Sequence, residues 1–233
     1  MKTTPMRTNE SAAGSTRLLH RLTAALLALV LAASAALPVF AADTAPTDTI
    51  YINSVSDLLA FADKCGFDQW SKGKTVILQE DLSLEDTEWA PVASFSGAFK
   101  GNGHTISDVS LVGAYSPAGF FGILEEGGSI QDLTIKGVVN PAGTQKTAGG
   151  LVGTNYGTII NCTFSGAVHG EEEAGGLVGR NETSGTIDHS TSRAMVSGAY
   201  ATGGIVGDNL GVITGCTDVG AVNSEYQEPA PHR

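Results

Sequence analysis

The sequence has few cysteines and few basic residues, and each shortage excludes a class of protein. The three cysteines in 233 residues lack the paired spacing of a zinc site or a disulfide scaffold. Lys and Arg number 13 against 24 Asp and Glu, which gives a net charge of −11. Such an acidic surface repels nucleic acid and anionic membranes, so we expect neither as a partner. The core must come from apolar side chains, which make up 42% of the sequence.

Residues 1–41 have the pattern of a secretory signal peptide. Four basic residues precede an apolar run over residues 22–37, and Pro38 and small residues follow it. We predict cleavage between Ala41 and Ala42; the alternative is an uncleaved anchor. Removing this segment takes away four of the 13 basic residues and one of the 24 acidic residues, which leaves 9 against 23 and a net charge of −14. No other segment is long and apolar enough to cross a bilayer, so we expect a secreted or cell-surface protein.

The next part of the chain predicts a short cap and the first coils of a fold, over residues 49–112. Residues 42–48 are rich in Pro, Thr and Asp and predict a flexible lead-in. After a predicted strand at 49–52, Ser54 or Ser56 is a suitable N-cap for a helix that runs to about Lys64 and stops before Gly66. The apolar face of that helix is predicted to contain Val55, Leu58, Leu59 and Ala62. Further strands are predicted at 74–78 and 105–111.

A glycine-rich phrase is repeated through the rest of the sequence, over residues 113–223. It reads Gly-Gly-Leu-Val-Gly at 149–153 and 175–179, and Gly-Gly-Ile-Val-Gly at 203–207, with a looser copy at 119–122. Equivalent glycines are separated by 31, 26 and 28 residues, and periods in this range are typical of a solenoid. Each period holds three short β-prone pieces, which excludes two long helices per repeat.

Aligned copies of the repeat place like residues at like positions. Two such columns are Ile130, Ile159, Ile187 and Ile213, and Val139, Val168, Val196 and Val222. If each repeat is one coil, these residues stack at the strand spacing of ~4.8 Å, and strands in successive coils are parallel. Parallel crossovers are almost always right-handed. We therefore predict an all-β, right-handed parallel β-helix whose first coil is covered by the short N-terminal helix.

The columns also make predictions about single side chains. Cys162 and Cys216 fall in one column two coils apart, at ~9.6 Å from the doubled strand spacing. This distance exceeds the reach of a disulfide, so we predict that both are buried thiols. The equivalent residues Asn155, Asn181 and Asn209 predict an asparagine ladder at a turn, where each amide bonds local backbone.

Candidate catalytic groups are sparse. The sequence contains no His-Glu-x-x-His zinc motif, no Gly-x-Ser-x-Gly nucleophile elbow and no phosphate loop ending in Gly-Lys-Ser/Thr. His189, beside Asp188, occupies the position of Asp132 in its own repeat and forms the most notable polar patch. We interpret it as part of an exposed turn, and His104 as the residue that starts a strand. We predict no catalytic, cofactor-binding or metal-binding residue and no cofactor.

The phrases Gly-Gly-Leu-Val-Gly-x-Asn and Gly-Gly-Ile-Val-Gly-x-Asn resemble the GLUG repeat of exported and surface proteins of bacteria. The segment from Trp89 to Ile106 is similar to the region that precedes such repeats, and the resemblance covers roughly residues 50–223. It implies a secreted or wall-associated β-helix within large multidomain proteins, including non-catalytic parts of some immunoglobulin A-cleaving metallopeptidases. It implies no defined active site.

Two hypotheses about function follow. The leading one is a non-enzymatic exported β-helix module that serves as a spacer, adhesion or ligand-presenting element, with a host or cell-wall glycan or a protein as partner. The alternative is a carbohydrate-active β-helix enzyme, similar to polysaccharide lyases or hydrolases, and it rests on the fold alone. Residues 224–233 form a polar tail. Either this tail folds over the last coil or the chain is a fragment of a longer surface protein.

Overall fold

Apart from one helix, the described part of the chain consists of strands that pair in parallel. The computed structural model describes residues 48–66, 69–143 and 146–224, all within a unit that spans Pro46–Arg233. The predicted signal peptide, almost all of the predicted lead-in and residues 225–233 lie outside the described residues. The strands form a parallel β-solenoid of about six turns, as the repeat predicts.

Four sheets run along the solenoid, and each coil contributes one strand to each sheet that it reaches, except that the last described coil contributes two short strands to sheet B. Sheet A contains β1 (Thr49–Ile52), β2 (Thr75–Leu78), β5 (Ala98–Lys100), β8 (Ser129–Gln131), β12 (Thr158–Ile160), β16 (Thr186–Asp188) and β20 (Val212–Thr214). Sheet B contains β3 (Leu82–Ser83), β6 (Thr105–Leu111), β9 (Thr134–Val139), β13 (Thr163–Gly170), β17 (Thr191–Gly198), β21 (Thr217–Asp218) and β22 (Ala221–Ser224). Sheet C contains β4 (Val92–Phe95), β7 (Phe121–Leu124), β11 (Val152–Asn155), β15 (Val178–Asn181) and β19 (Val206–Asn209). Sheet D contains β10 (Thr147–Gly149), β14 (Glu173–Gly175) and β18 (Ala201–Gly203).

The register of these sheets confirms the alignment of the repeats. Val152 pairs with Phe121 in the coil before it and with Val178 in the coil after it, and Val178 pairs with Val206. These pairs reproduce the predicted steps of 31, 26 and 28 residues. The predicted isoleucine and valine columns are also in register. Like side chains therefore stack on like, and the columns keep their identity because each residue packs against its own copy.

One prediction about the coil was wrong, because the complete later coils have four strands and not three. The strand that was not predicted is the one that each of these coils contributes to sheet D. The first strand of this sheet is Thr147–Gly149. It is only three residues long and ends in glycine, so its sequence carries neither an alternating pattern nor a β-branched run. It is a strand because Glu173–Gly175 of the next coil pairs with it.

The single helix of the described residues, α1 (Val55–Lys64), begins and ends where the sequence predicts. The Ser54 hydroxyl accepts a hydrogen bond from the Asp57 amide, and the Asp57 carboxylate in turn accepts one from the Asn53 amide. This reciprocal arrangement satisfies two amides at the start of the helix. The predicted apolar face was partly wrong: Phe61 is buried and Leu59 is 39% exposed. Leu58 is buried as predicted, and Val55 and Ala62 are partly buried against the core.

The core fills the inside of the solenoid and changes character along it. Near the N-terminal end, the Phe61 ring of α1 lies 5.7 Å from the Phe95 ring and 5.8 Å from the Phe99 ring, between centroids. The buried Trp89 stacks on Phe120 at 4.7 Å. Later coils are filled chiefly by the isoleucine, leucine and valine columns, in which Ile130, Ile159 and Ile187 have no exposed surface. Each such side chain contributes roughly 1.5–3 kcal/mol of transfer free energy.

No helix within the described ranges is both long and apolar enough to span a membrane.

Candidate functional site

The glycine-rich phrase is a packing element of the coil. A Cβ atom on Gly149 would overlap the carbonyl oxygen of Val152, and one on Gly150 would overlap the ring of Phe164. The chain therefore turns from sheet D into sheet C at a distance that only glycine permits. Because the backbone here contacts its own coil and the coils beside it, the phrase does not form an open loop around a ligand.

Two of the three asparagines that follow the phrase lie inside the solenoid. Asn155 and Asn181 have no exposed surface. The Asn155 amide donates to Asn181 Oδ1 at 2.7 Å, and the Asn181 amide donates to Asn209 Oδ1 at 2.7 Å. Asn155 Oδ1 also accepts from the Gly157 amide at 3.1 Å. The predicted ladder with local backbone bonds is confirmed, and its amides are satisfied by neighbouring coils and turns.

The patch around His189 is a corner of the coil in which the backbone is left-handed. Equivalent residues have positive φ values: 54° at Asp132, 50° at Asn161, 45° at His189 and 61° at Gly215. Asp, Asn and Gly tolerate this conformation better than other residues, which explains the choice at three of the four positions. The Asn161 amide donates to Asp132 at 2.6 Å, and His189 Nδ1 lies 2.8 Å from the Asp188 carboxylate. The polar groups of this corner bond to one another.

His104 stands directly before β6, as predicted, and its partner is one carboxylate. Its Nδ1 lies 3.1 Å from Asp81 Oδ1, which also accepts from the Thr105 amide at 2.8 Å. The Thr105 amide, followed by His104, lowers the pKa of Asp81. The hydroxyl groups of Ser83 and Ser107 likewise lower the pKa of Asp108. Carboxylates with lowered pKa values are ionised at neutral pH, so neither suits the role of general acid.

A cluster of charges surrounds Arg180 on the outer face of sheets C and D. Its guanidinium lies 2.7 Å from Glu173, 2.8 Å from Glu182 and 2.9 Å from Asp208, which belongs to the next coil. Glu173, followed by Glu182, raises the pKa of Arg180. Beside them is a recess of about 620 Å³, the acidic recess, lined by Glu171, Glu172, Glu173, Ala199, Tyr200, Ala201 and Asp208. An arginine held by three carboxylates is not available as a base.

The outer face of sheet B carries a groove of about 450 Å³, which we call the sheet B groove. One side is an apolar column of outward residues in register, Val138, Ala167, Met195 and Ala221. Met195 is 67% exposed and Val138 is 42% exposed. The other side is a polar column, Asn140, His169, Ser197 and Asn223. No Asp, Glu, Lys or Arg is among the described residues that line this groove.

Within the polar column, His169 and Ser197 are cross-coil neighbours. Ser197 Oγ lies 2.9 Å from His169 Nδ1. The two residues are partners in the parallel register of β13 and β17, and Ser197 is in turn the partner of Asn223 in β22. Hydrogen-bonding groups therefore follow one another from coil to coil beside the apolar column. A linear ligand that lies along the solenoid axis would meet an apolar group and a polar group in each coil, so both kinds of group recur at the spacing of the coils.

The three cysteines are free thiols. Cys162 is buried as predicted, and burial raises its pKa to about 12. The prediction for Cys216 was only partly right, because this side chain is only partly buried. Cys216 lies in the last described coil, and no further coil covers it within the described residues. No group of three or more His, Cys, Asp or Glu side chains that could hold a metal ion occurs in residues 48–66, 69–143 and 146–224.

Comparison with known proteins finds a GLUG motif within this parallel β-solenoid. The family described as "The GLUG motif" matches residues 144–168, which include β10 through most of β13 and confirm the resemblance. The chain is also 36% identical over 144 residues to halomucin of Haloquadratum walsbyi. That match covers 55% of this chain and 2% of halomucin. The chain thus spans about 2% of the length of this relative.

A solved structure shares the fold. It is a crystal structure at 1.30 Å resolution of a Bacteroides ovatus protein provisionally named an immunoglobulin A1 protease. The TM-score is 0.62 and the sequence identity is 23%, over 74% of this chain and 56% of that one. At this identity the likeness concerns the solenoid and not an activity.

The sequence predicted the corner and ladder residues but neither the sheet B groove nor the acidic recess. The sheet B groove depends on outward residues that differ from coil to coil, such as Val138, Ala167 and Met195, so no repeated pattern marks it. One signal was present, since alternation along β17 leaves Met195 on the face opposite the core. The acidic recess joins Glu173 and Asp208, which are 35 positions apart and meet only after the coils stack.

Proposed function

We propose that this chain is a non-catalytic, exported β-solenoid module that binds an uncharged glycan in the sheet B groove and serves in adhesion or as a spacer at the cell surface. The observation that carries the proposal is the pairing, along one face, of an exposed apolar column with a hydrogen-bonding column, without a charged side chain in the lining. Apolar walls with a few polar groups are typical of ligand sites.

The charge of the chain favours a neutral ligand. A chain with a net charge of −11 repels an anionic polymer. A cationic ligand would be expected at the acidic recess and not at the sheet B groove, whose lining is uncharged. A glycan suits both columns, since the C–H faces of its sugars can pack on Val138 and Met195 while its hydroxyl groups bond to His169 and Ser197.

The non-catalytic part of the proposal is supported by the state of the ionisable groups. Arg180, Asp81 and Asp108 are each engaged by neighbouring groups that stabilise the charged form. A carbohydrate-active site would instead need a carboxyl group whose pKa is raised, close to a second carboxylate. The export part is supported by the predicted signal peptide and by the GLUG motif, which the sequence shares with exported and surface proteins.

A glycan array, combined with a screen for polysaccharide cleavage, tests the proposal. We expect the full chain to bind neutral glycans without cleaving them, and the variant Met195→Glu to lose binding because it places a charge in the groove. Ile160→Glu is the matched control, since Ile160 is also an outward, 38% exposed strand residue but lies on sheet A. Reproducible cleavage, binding only to anionic glycans or peptides, or equal binding by Met195→Glu would each overturn the proposal.

A further inference from the structure

A third column of outward side chains borders the apolar column of the sheet B groove, on the side away from the polar column. It consists of Lys136, Ser165 and Arg193, which are paired in register in β9, β13 and β17. Lys136 and Arg193 are exposed, and neither forms an ion pair with another described residue. Their side chains are therefore available to donate hydrogen bonds to a ligand. We call these three residues the flanking column.

The flanking, apolar and polar columns have a fixed spacing because they occupy alternate positions of the same strands. In β13 they are represented by Ser165, Ala167 and His169. Outward residues two positions apart in a parallel strand are ~6.6 Å apart, and successive coils are ~4.8 Å apart. The outer face of sheet B thus presents an apolar strip, parallel to the solenoid axis, with hydrogen-bonding groups along both edges.

The size of the side chains on this strip alternates from coil to coil. Val138 and Met195 are the large members of the apolar column, and Ala167 and Ala221 are the small ones. The flanking column alternates in step, since its two long basic side chains belong to the same coils as Val138 and Met195, and its serine belongs to the coil between them. The pattern therefore repeats every second coil, at about 9.6 Å from the doubled strand spacing.

We propose that the occupant of the sheet B groove is an extended β-1,4-linked glycan that lies along the solenoid axis with one sugar on each coil. The binding itself rests on the function proposed above, and the new elements are the linkage of the glycan and its direction. In β-1,4-linked glucose or N-acetylglucosamine, the ring faces present C–H groups and the substituents of the ring are equatorial. Such a ribbon places apolar faces on the strip and polar groups toward both of its edges.

The repeat of this glycan agrees with the repeat of the strip. Successive sugars of an extended β-1,4-linked chain are turned over relative to one another, so its structure repeats with every second sugar. The strip repeats with every second coil, so Val138 and Met195 would contact equivalent faces of alternate sugars. An α-1,4-linked chain of glucose coils instead, and it cannot follow a straight strip over several coils.

The two edges also supply complementary hydrogen-bonding groups. Lys136 and Arg193 only donate, whereas the hydroxyl groups of Ser165 and Ser197 can donate or accept. A sugar hydroxyl group does both, so it can accept from a cation in one coil and donate to a serine in the next. A ligand without hydroxyl groups along both edges would use the apolar strip alone.

Isothermal titration calorimetry of the full chain with cello-oligosaccharides and chito-oligosaccharides, from the disaccharide to the hexasaccharide, tests the inference. The two series share the linkage and differ in the group at C2, so the series that binds identifies the sugar. We expect the affinity to rise from the disaccharide to the tetrasaccharide, because each added sugar contacts one further coil. Maltohexaose, with glucose in α-1,4 linkage, is the matched control ligand and should bind at least ~10-fold more weakly, which corresponds to the loss of one or two hydrogen bonds.

Lys136→Ala and Arg193→Ala test the flanking column. Each should weaken the binding of the hexasaccharide by about threefold to tenfold, the range expected for one net hydrogen bond. Lys100→Ala is the matched control, because Lys100 is also an outward strand lysine but lies on sheet A, and it should leave the affinity unchanged. Circular dichroism establishes that each variant is folded.

Three results would each overturn the inference: equal affinity for maltohexaose, an affinity that does not rise with chain length, or unchanged binding by both folded variants of the flanking column. The same holds if the full chain binds only neutral glycans of other linkages. The proposed function survives these results as long as Met195→Glu still abolishes glycan binding. A full chain that binds no glycan at all overturns the proposed function and this inference together.

Discussion

At the scale of single residues, the buried amides of Asn155 and Asn181 join three successive coils. Replacing Asn181 by alanine leaves the Asn155 amide and the Asn209 carbonyl without this partner. Of these two groups only the Asn155 amide is buried, and a buried unsatisfied group costs roughly 1–3 kcal/mol, so we expect a loss of about 1–3 kcal/mol in the free energy of unfolding. Urea unfolding followed by circular dichroism measures it. Asn209→Ala is the control, and its cost should be smaller because Asn209 is the exposed last rung; equal costs would contradict a ladder that depends on burial.

The thiols should differ in reactivity. Burial raises the pKa of Cys65 and of Cys162 to about 12, so little of the reactive thiolate exists at pH 8. Cys216 also has a raised pKa, but it is only partly buried. We expect iodoacetamide to label Cys216 first in the folded protein, faster as the pH rises toward its pKa, as peptide mass spectrometry would show. In denaturant all three cysteines should be labelled, and equal rates in the folded state would refute this prediction.

How far the sequence could predict single residues depends on whether a residue repeats. The stacked positions of Ile159 and Asn181 were predictable because each packs against its own copy one coil away. The left-handed corner at His189 was recognised as a polar turn, but its backbone conformation is visible only in the structure. Met195 lines the sheet B groove and Asp208 lines the acidic recess. The role of each depends on neighbours in other coils, and these neighbours share no sequence pattern.

At the scale of elements, α1 covers the first coil chiefly through Phe61. Phe61→Ala removes a ring that packs against Phe95 and Phe99 and should cost about 3–5 kcal/mol of stability. Leu59→Ala, on the exposed side of the same helix, should change stability by less than about 0.5 kcal/mol. Thermal unfolding of both variants, followed by circular dichroism, compares them. A larger loss from Leu59→Ala would mean that the helix is turned differently.

The boundaries of α1 were predictable, but its buried face was not fully so. The Ser54 cap is a local signal, since its side chain bonds the Asp57 amide three residues later. Which apolar residues face inward depends on where the helix lies on the coil, and the tertiary contact with Phe95 selects Phe61 over Leu59. Similarly, the short strand Thr147–Gly149 is defined by its partner in the next coil. The right-handed sense of the coil stays a prediction from the crossover rule.

At the scale of the whole molecule, export remains a prediction from residues 1–41, which lie outside the described residues. If the signal peptide is cleaved as predicted, the exported chain begins at Ala42 and its net charge changes from −11 to −14. Mass spectrometry of the N-terminal peptide from the secreted protein measures this directly. The matched control is the same chain purified from the cytoplasm, which should still carry Lys2 in its N-terminal peptide. Retention of the apolar run at 22–37 after export would indicate an anchor instead.

The parallel stacking of the coils also sets how the molecule responds to force. Hydrogen bonds between coils point along the solenoid axis, so tension between the two ends loads the coils in series. The last described coil packs less tightly than the others, since its Ile213 is 38% exposed, so it should detach before the coils that precede it. Each event would release about 95 Å of extended chain, from the 28 residues between Val178 and Val206 at about 3.4 Å each. Under tension along its axis the molecule would therefore lengthen in steps, and each step would correspond to the unfolding of one repeat.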